Sequence, residues 1–310
     1  MNPSALGKIA VVGSGAVGGY YGGMLAHAGC DVHFLMRTDL DTVRRDGLRI
    51  FTKGSEVHLP RVQCAATTEE IGAADLVIVA LKATANAELA RLLPPLIGAR
   101  TALLTLQNGL GNERFLAEIW GAERVMGGLC FVCINRTAPG VIRHLDEGSI
   151  SIGEFGRPVS ARVRAVADAF RSVGVEANAV DNLDSERWRK LMWNVPFNGL
   201  SIAANANVAD VLGDATLRAE ARAIMDELLD AARRLGHEIP DSFADWQIER
   251  SHAFGGYRPS SMIDYELGRP VEVEAIWGEP LRQGLAAGAK MPRLALLHAV
   301  IRHVTARCAV

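Results

Sequence analysis

Hydrophobic and polar positions along the chain follow two different periods, and one gives way to the other near residue 181. In the first part, short apolar runs rich in β-branched residues recur between helical stretches: Ile9–Val12, Asp31–Met36, Asp75–Leu81 and Thr101–Leu106. Runs of this length and composition suit strands buried on both faces of a parallel sheet. Tyr20–Ala28 has helical character, and Leu48–Ile50 with Val57–Val62 flank Lys53-Gly54 like a hairpin inserted before the next α/β unit. Val125–Ile134, Val141–His144 and Ser149–Ile152 predict shorter, antiparallel strands, the first two separated by the turn-forming Pro139-Gly140. Ala161–Val173 predicts a helix and Val175–Val180 an edge strand. From Asn182 onward only helical spacing is left, over Leu183–Ala204, Ala215–Leu235, Ser242–His252, Val273–Ala287 and Leu294–Arg307. The expectation is an α/β domain over residues 1–181 and an all-α domain over residues 182–310.

The junction after the first strand sharpens this. Gly13-Ser14-Gly15-Ala16-Val17-Gly18 completes G-x-G-x-x-G between strand and helix. Gly13 permits the tight turn, Gly15 lets a pyrophosphate approach the backbone, and Gly18 lets the helix pack on the strand, so the phosphates sit on the helix N-terminus. The first domain is therefore expected to be a Rossmann-type dinucleotide-binding domain, with Gly13, Ser14, Gly15, Ala16, Val17 and Gly18 against the cofactor. Arg37 ends the second strand, where a ribose 2′-hydroxyl is usually met by Asp or Glu and a 2′-phosphate calls for a cation. It argues for NADP(H), although Asp39 stands nearby. The strand ends also bring Lys82 and Asn108 to the carboxyl edge, which faces the ligand crevice in an open parallel sheet.

Composition narrows the function classes. A chain of 310 residues can hold two cores, and 49% apolar with 22% charged residues is the profile of an ordinary globular protein. A formal net charge of −2 supplies no basic field for nucleic acid or an anionic membrane. No apolar run has the roughly 18–20 residues of a membrane span, and the N-terminus is not built like a signal peptide, so a cytoplasmic location is expected. The five cysteines do not read as a disulfide framework. Cys130 and Cys133 form C-x-x-C inside an apolar run, and nothing completes a zinc site, so buried structural thiols are expected and no metal.

The second domain carries the candidate chemistry. Lys190, Asn194 and Asn198 recur every four residues, which lines them along one helix face about 6 Å apart per turn. Asparagine is a poor helix former, so two in register with a lysine point to a site, and Pro196 is placed to kink the helix and open that face. Further on, Pro259–Glu274 combines a turn-rich stretch with Glu272 and Glu274 at the start of a helix. Carboxylates there suit the helix dipole, and a lysine beside one of them suits carbonyl reduction, which needs a charged donor kept protonated by an anion.

At these residues the sequence resembles the 2-dehydropantoate 2-reductase (ketopantoate reductase) family: the glycine fingerprint Gly13–Gly18, Ala80–Lys82, Gln107–Gly109, the K-x-x-x-N-x-x-x-N of Lys190–Asn198, and Pro259–Glu272, in this order over nearly the whole chain. The resemblance implies an active site in the cleft between a Rossmann domain and a helical domain, and NADPH-dependent reduction of 2-dehydropantoate to pantoate, a step toward pantothenate and coenzyme A. It implies Lys190 as proton donor, Glu272 as its partner and a cofactor contact, and Asn108, Asn194, Asn198 and Ser260 as substrate contacts, with Lys82 and Asn108 also on the nicotinamide side. Val208 and Tyr257 stand where pantoate-forming members carry asparagine. Another small 2-oxo acid or an imine is therefore the alternative substrate, and a non-catalytic NADP(H)-binding regulatory module the alternative class. The sequence leaves open whether the chain works as a homodimer.

Overall fold

The computed structural model describes residues 6–52 and 54–306. The first strand, β1 (Lys8–Val12), shows why the sheet forms: Ile9 and Val11 enter the core on one face, Ala10 and Val12 on the other, and all four are fully buried. A strand apolar on both sides has to be covered on both sides. Around it run β2 (Asp31–Leu35), β3 (Leu48–Thr52), β4 (Ser55–Leu59), β5 (Gln63–Ala65), β6 (Ala74–Val79), β7 (Ile97–Thr105), β8 (Val125–Ala138), β9 (Val141–Glu154) and β10 (Ala177–Ala179). Their spatial order is β4-β3-β9-β8-β7-β6-β1-β2-β5, with β10 on β9. Pairing is parallel from β5 through β8, and antiparallel between β8 and β9 and within the β3–β4 hairpin.

Helices α1 (Ala16–His27), α2 (Leu40–Asp46), α3 (Thr68–Ile71), α4 (Asn86–Leu92), α5 (Asn112–Trp120) and α6 (Ala161–Arg171) accompany the sheet. The glycines of α1 are explained by packing: a side chain at Gly22 would meet Phe34 and Val11 at 2.8 Å, and one at Gly23 would meet Ile50 at 2.5 Å. The chain divides into two compact units, Met1–Gln107 with Asn112–Leu183, and Asn108–Gly111 with Asp184–Val310.

In the sheet, two features differ from the sequence expectation. Val141–His144 and Ser149–Ile152 are one 14-residue strand, β9, paired along an equally long β8. The polar Asp146-Glu147-Gly148 between the two runs hides their continuity, because there the ladder slips register with Glu147 at φ 57° and Gly148 at φ 136°. The three-residue β5 is too short to show any period. Cys130 and Cys133 are buried on β8. Lys53 and Arg307 lie outside the described residues, among which no helix is long and apolar enough to cross a membrane.

Two buried carboxylates tie the first unit together. Asp39 pairs with Arg136 of β8 and accepts the Gly140 N–H at 3.1 Å, while Glu154 is held by Arg162 at 2.5 Å and Arg157 at 3.0 Å. Burial pushes both carboxyls up, but these donors outweigh it and hold both below the usual range. A lowered folded value means stability that is present above the unfolded carboxylate value of about 4 and is lost as pH falls through the folded one. The Tm of the wild type should therefore fall more steeply between about pH 5 and pH 3 than that of an Asp39→Asn, Glu154→Gln variant. Parallel curves in calorimetry would contradict this.

The second unit contains α7 (Leu183–Ala204) from its second residue on, α8 (Val208–Gly213), α9 (Ala215–Arg234), α10 (Ser242–Ser251), α11 (Ser260–Glu266), α12 (Glu279–Ala286) and α13 (Pro292–Ala306). Asn207 and Asp210 form a capping box that starts α8, a short helix with no counterpart in the sequence expectation. The core gathers Trp188, Met192, Val195 and Phe197 of α7 with Met225 and Leu228 of α9 and Leu294 of α13. Burial around most of its circumference makes α7 the central helix of the unit.

Candidate active site

In the first unit the strand registers set Val12, Leu35, Val79 and Thr105 level. The residues just beyond them, Gly13, Arg37, Lys82 and Gln107, therefore follow the same carboxyl edge of the sheet. Gly13 has φ 106°, and a side chain there would meet the Leu81 backbone N at 2.4 Å. A side chain at Gly18 would meet the Gly13 carbonyl at 2.1 Å. Gly15 is the opposite case: nothing lies within 4 Å of a Cβ placed on it. It is also the N-cap of α1, with no side-chain cap and no acidic residue in the first turn. Open space and N–H groups at a helix N-terminus fit a pyrophosphate. Ser14 turns its hydroxyl onto the Leu35 carbonyl at 2.8 Å, so it braces the turn against β2. Ala16 and Val17 form the first turn of α1.

Arg37 is exposed two residues past β2, and among the described residues no carboxylate pairs with it. Asp39, which could have met a ribose hydroxyl instead, is committed to Arg136, Gly140 and Thr38. Lys82 is half-buried and precedes the short helical turn Ala83–Ala85. Beside it, Thr105, Gln107, Asn86 and Asn112 form a hydrogen-bonded chain with links of 3.0, 2.7 and 3.1 Å. Only Gln107 of these stood out in the sequence, because polar residues spread over separate elements share no period.

In the second unit α7 carries Lys190, Asn194 and Asn198, which are 7%, 8% and 2% exposed. Lys190 Nζ donates to Asn108 Oδ1 at 2.7 Å. Asn198 is engaged at both ends: its Nδ2 donates to the Asn194 carbonyl at 2.9 Å and its Oδ1 accepts the Ser261 N–H at 3.1 Å. It braces α7 against α11. Among the described residues no protein group hydrogen-bonds the Asn194 carboxamide. Ser260, the serine favoured from the sequence, is exposed, whereas the adjacent Ser261 is buried and sits on Asn198. The helix α11 turns one serine outward and the next inward, a distinction that a turn-rich sequence does not reveal. α7 stays helical through Pro196. Glu272 is half-buried and leads into a π-helical turn, Glu274–Gly278, that continues as α12.

Val208 and Tyr257 are neighbours: the Val208 N–H donates to the Tyr257 carbonyl at 3.0 Å. The Tyr257 ring lies 6.2 Å from both Trp193 and Phe254, and Trp193 stacks on Phe197 at 5.2 Å. An aromatic cluster thus adjoins the helix face that holds Asn194.

A largely parallel sheet whose carboxyl edge carries this glycine turn defines a Rossmann-type dinucleotide-binding protein. Residues 9–157 match the family model described as ketopantoate reductase PanE/ApbA, and residues 182–305 match the model of that family's C-terminal region. The chain belongs to the ketopantoate reductase PanE/ApbA family. The 2-dehydropantoate 2-reductase of Nostoc sp. strain PCC 7120 is 38% identical over 97% of this chain and 96% of its own length. That of Mesorhizobium japonicum is 32% identical over 96% and 97%. The crystal structure of 2-dehydropantoate 2-reductase from Geobacter metallireducens GS-15 superposes with a TM-score of 0.93 at 42% identity, covering 96% of this chain and 99% of that one.

Proposed function

We propose that the chain reduces 2-dehydropantoate to pantoate with NADPH. The observation that carries this reading is a buried ammonium, Lys190 Nζ, held 2.7 Å from Asn108 Oδ1, with the Asn194 carboxamide, which no group among the described residues hydrogen-bonds, one turn along the same helix. When bound, the reduced nicotinamide supplies a hydride to the carbonyl carbon of the 2-oxo acid. Lys190 gives its proton to the oxygen, where negative charge builds as the carbon is reduced. Glu272 keeps the donor charged, Asn108 aims it, and Asn194 contacts the substrate. Asn198 acts on the substrate through the Ser261 N–H and the position of α11, and the exposed Ser260 of the same helix is the serine that contacts the substrate. Gly13, Gly15, Gly18 and the N-terminus of α1 hold the pyrophosphate, and Lys82 lines the nicotinamide side.

The aromatic cluster of Trp193, Phe254 and Tyr257 favours a second reading, a 2-oxo acid with a more apolar side chain. Following NADPH absorbance over a panel of 2-oxo acids separates the two, and no turnover with any of them would reject both.

Arg37 is assigned to the 2′-phosphate because it is exposed at the sheet edge while Asp39 is committed elsewhere. Arg37→Asp should remove a charge-assisted contact of about 1.5–3 kcal/mol. The expected result is a KM for NADPH raised about 10- to 150-fold with NADH little affected. An unchanged ratio of the two cofactors would assign the 2′-phosphate to another residue.

A further inference from the structure

The π-turn Glu274–Gly278 makes two attachments, the first of which follows from its hydrogen-bond register. The Glu279 N–H bonds the Glu274 carbonyl, five residues back, rather than the Ala275 carbonyl it would meet in an α-helix. The next donor in line for Ala275 would be residue 280, but Pro280 has no N–H. The Ala275 carbonyl is thus left without a helical partner, and a buried carbonyl needs one. The Leu110 N–H takes it, at 2.9 Å. The approach is close enough that a side chain on Gly109 would lie 2.2 Å from that oxygen, and Gly109 has φ 85°. The loop that presents Asn108 is fastened to the π-turn.

The second attachment reaches α7. Trp277, fully buried, donates its indole N–H to the Val195 carbonyl at 2.9 Å, between Asn194 and Asn198. Gly199 makes room for it, since a Cβ there would stand 2.9 Å from Trp277 Nε1. One five-residue turn therefore grips both the loop bearing Asn108 and the helix bearing Lys190, and Glu272 lies two residues before it.

We propose that this π-turn is the positioning element of the reaction, with Trp277 and the Ala275 carbonyl as its points of attachment. It fixes the Asn108 loop, α7 and Glu272 in one register, so that the Lys190 ammonium stays aimed while substrates exchange. Trp277 is a positioning residue, acting through α7. The inference rests on the proposed reductase activity, but its mechanical part stands independently of turnover.

Two variants test it. Trp277→Phe keeps an aromatic ring and removes the N–H. Pro280→Ala restores a donor that competes with Leu110 for the Ala275 carbonyl, and it remains informative if the first variant does not fold. In both, kcat should fall about 10- to 100-fold, the scale of a misplacement near 1 Å. KM for the oxo acid should change by less than about threefold, NADPH affinity should hold, and the isotope effect on kcat with C4-deuterated NADPH should rise. Hydrogen exchange should accelerate in residues 108–111 and 195–199 and stay slow in α9. An unchanged kcat and isotope effect in an active enzyme overturns the inference, as does a loss of kcat accompanied by faster exchange throughout α9 or weaker NADPH binding. A wild type that reduces no 2-oxo acid rejects the reductase reading instead. The exchange result then decides the attachment by itself: local acceleration supports it, and none overturns it.

Discussion

Replacing Lys190 with alanine is expected to lower kcat by about 10²–10⁴-fold, the range of a positioned general acid, while NADPH affinity in fluorescence titration stays near the wild-type value. The reason lies in when the charge is needed. The oxygen of a 2-oxo acid is nearly neutral in the ground state and becomes anionic as its carbon is reduced, so a cation already in place stabilises the transition state more than the bound substrate. Lys190 is 7% exposed, which removes most of the water that would otherwise screen that charge. Its hydrogen bond to Asn108 fixes the direction of the ammonium, so no side-chain freedom has to be lost during the reaction. The variant should also lose the acceptor role of Asn108, but that residue can still meet water, so the protein should fold. A folded Lys190→Ala enzyme that binds NADPH and turns over at nearly the wild-type rate would remove the mechanism.

The glycine turn provides the second large effect through a contrast between two substitutions of the same size. At Gly15 a methyl group meets nothing within 4 Å and the backbone has φ −76°, so Gly15→Ala should fold with a Tm close to that of the wild type. That methyl group would occupy the space assigned to the pyrophosphate. Losing close hydrogen bonds to a charged group costs about 1.5–3 kcal/mol, so NADPH affinity should fall by about 10- to 150-fold. At Gly18 the methyl group would stand 2.1 Å from the Gly13 carbonyl, a clash within the folded chain itself. Gly18→Ala should therefore lose affinity and stability together, with overpacking typically worth about 1–3 kcal/mol. Thermal shift with and without NADPH separates the two cases. Equal Tm losses would mean that Gly15 serves the fold rather than the ligand.

Much of this arrangement was legible in the sequence because it repeats or alternates. The parallel strands showed as apolar runs since both of their faces are buried, and the face of Lys190, Asn194 and Asn198 showed because every fourth residue of a helix falls in line. What stayed hidden depends on pairing between distant positions. The bulge at Glu147-Gly148 looked like the end of one strand and the start of another, because polarity marks a slipped register and a turn alike. The sequence favours Ser260 but does not reveal that Ser261 is the serine turned inward, since the inward-facing residue of α11 is fixed by the Asn198 carboxamide sixty-three positions away. Asp39 looked like a rival to Arg37 for the cofactor, and only the fold shows it committed to Arg136 on β8. In the sequence Tyr257 and Val208 are two separate departures from the family pattern, and their backbone hydrogen bond makes them one feature.

The four residues Asn108–Gly111 belong to the second unit although the chain on either side of them belongs to the first. The second unit is therefore not a detachable module of residues 184–310. A fragment starting there would leave the Ala275 carbonyl without its donor and the place of Leu110 in the apolar core empty. During synthesis, those four residues leave the ribosome long before the helices that will receive them. The second unit thus completes its core by recruiting a loop from a segment already made. Recombination between relatives at the apparent boundary near residue 181 would join a loop from one parent to a π-turn from the other. A chimera's fitness would then turn on whether residues 108–111 and 274–280 came from the same parent.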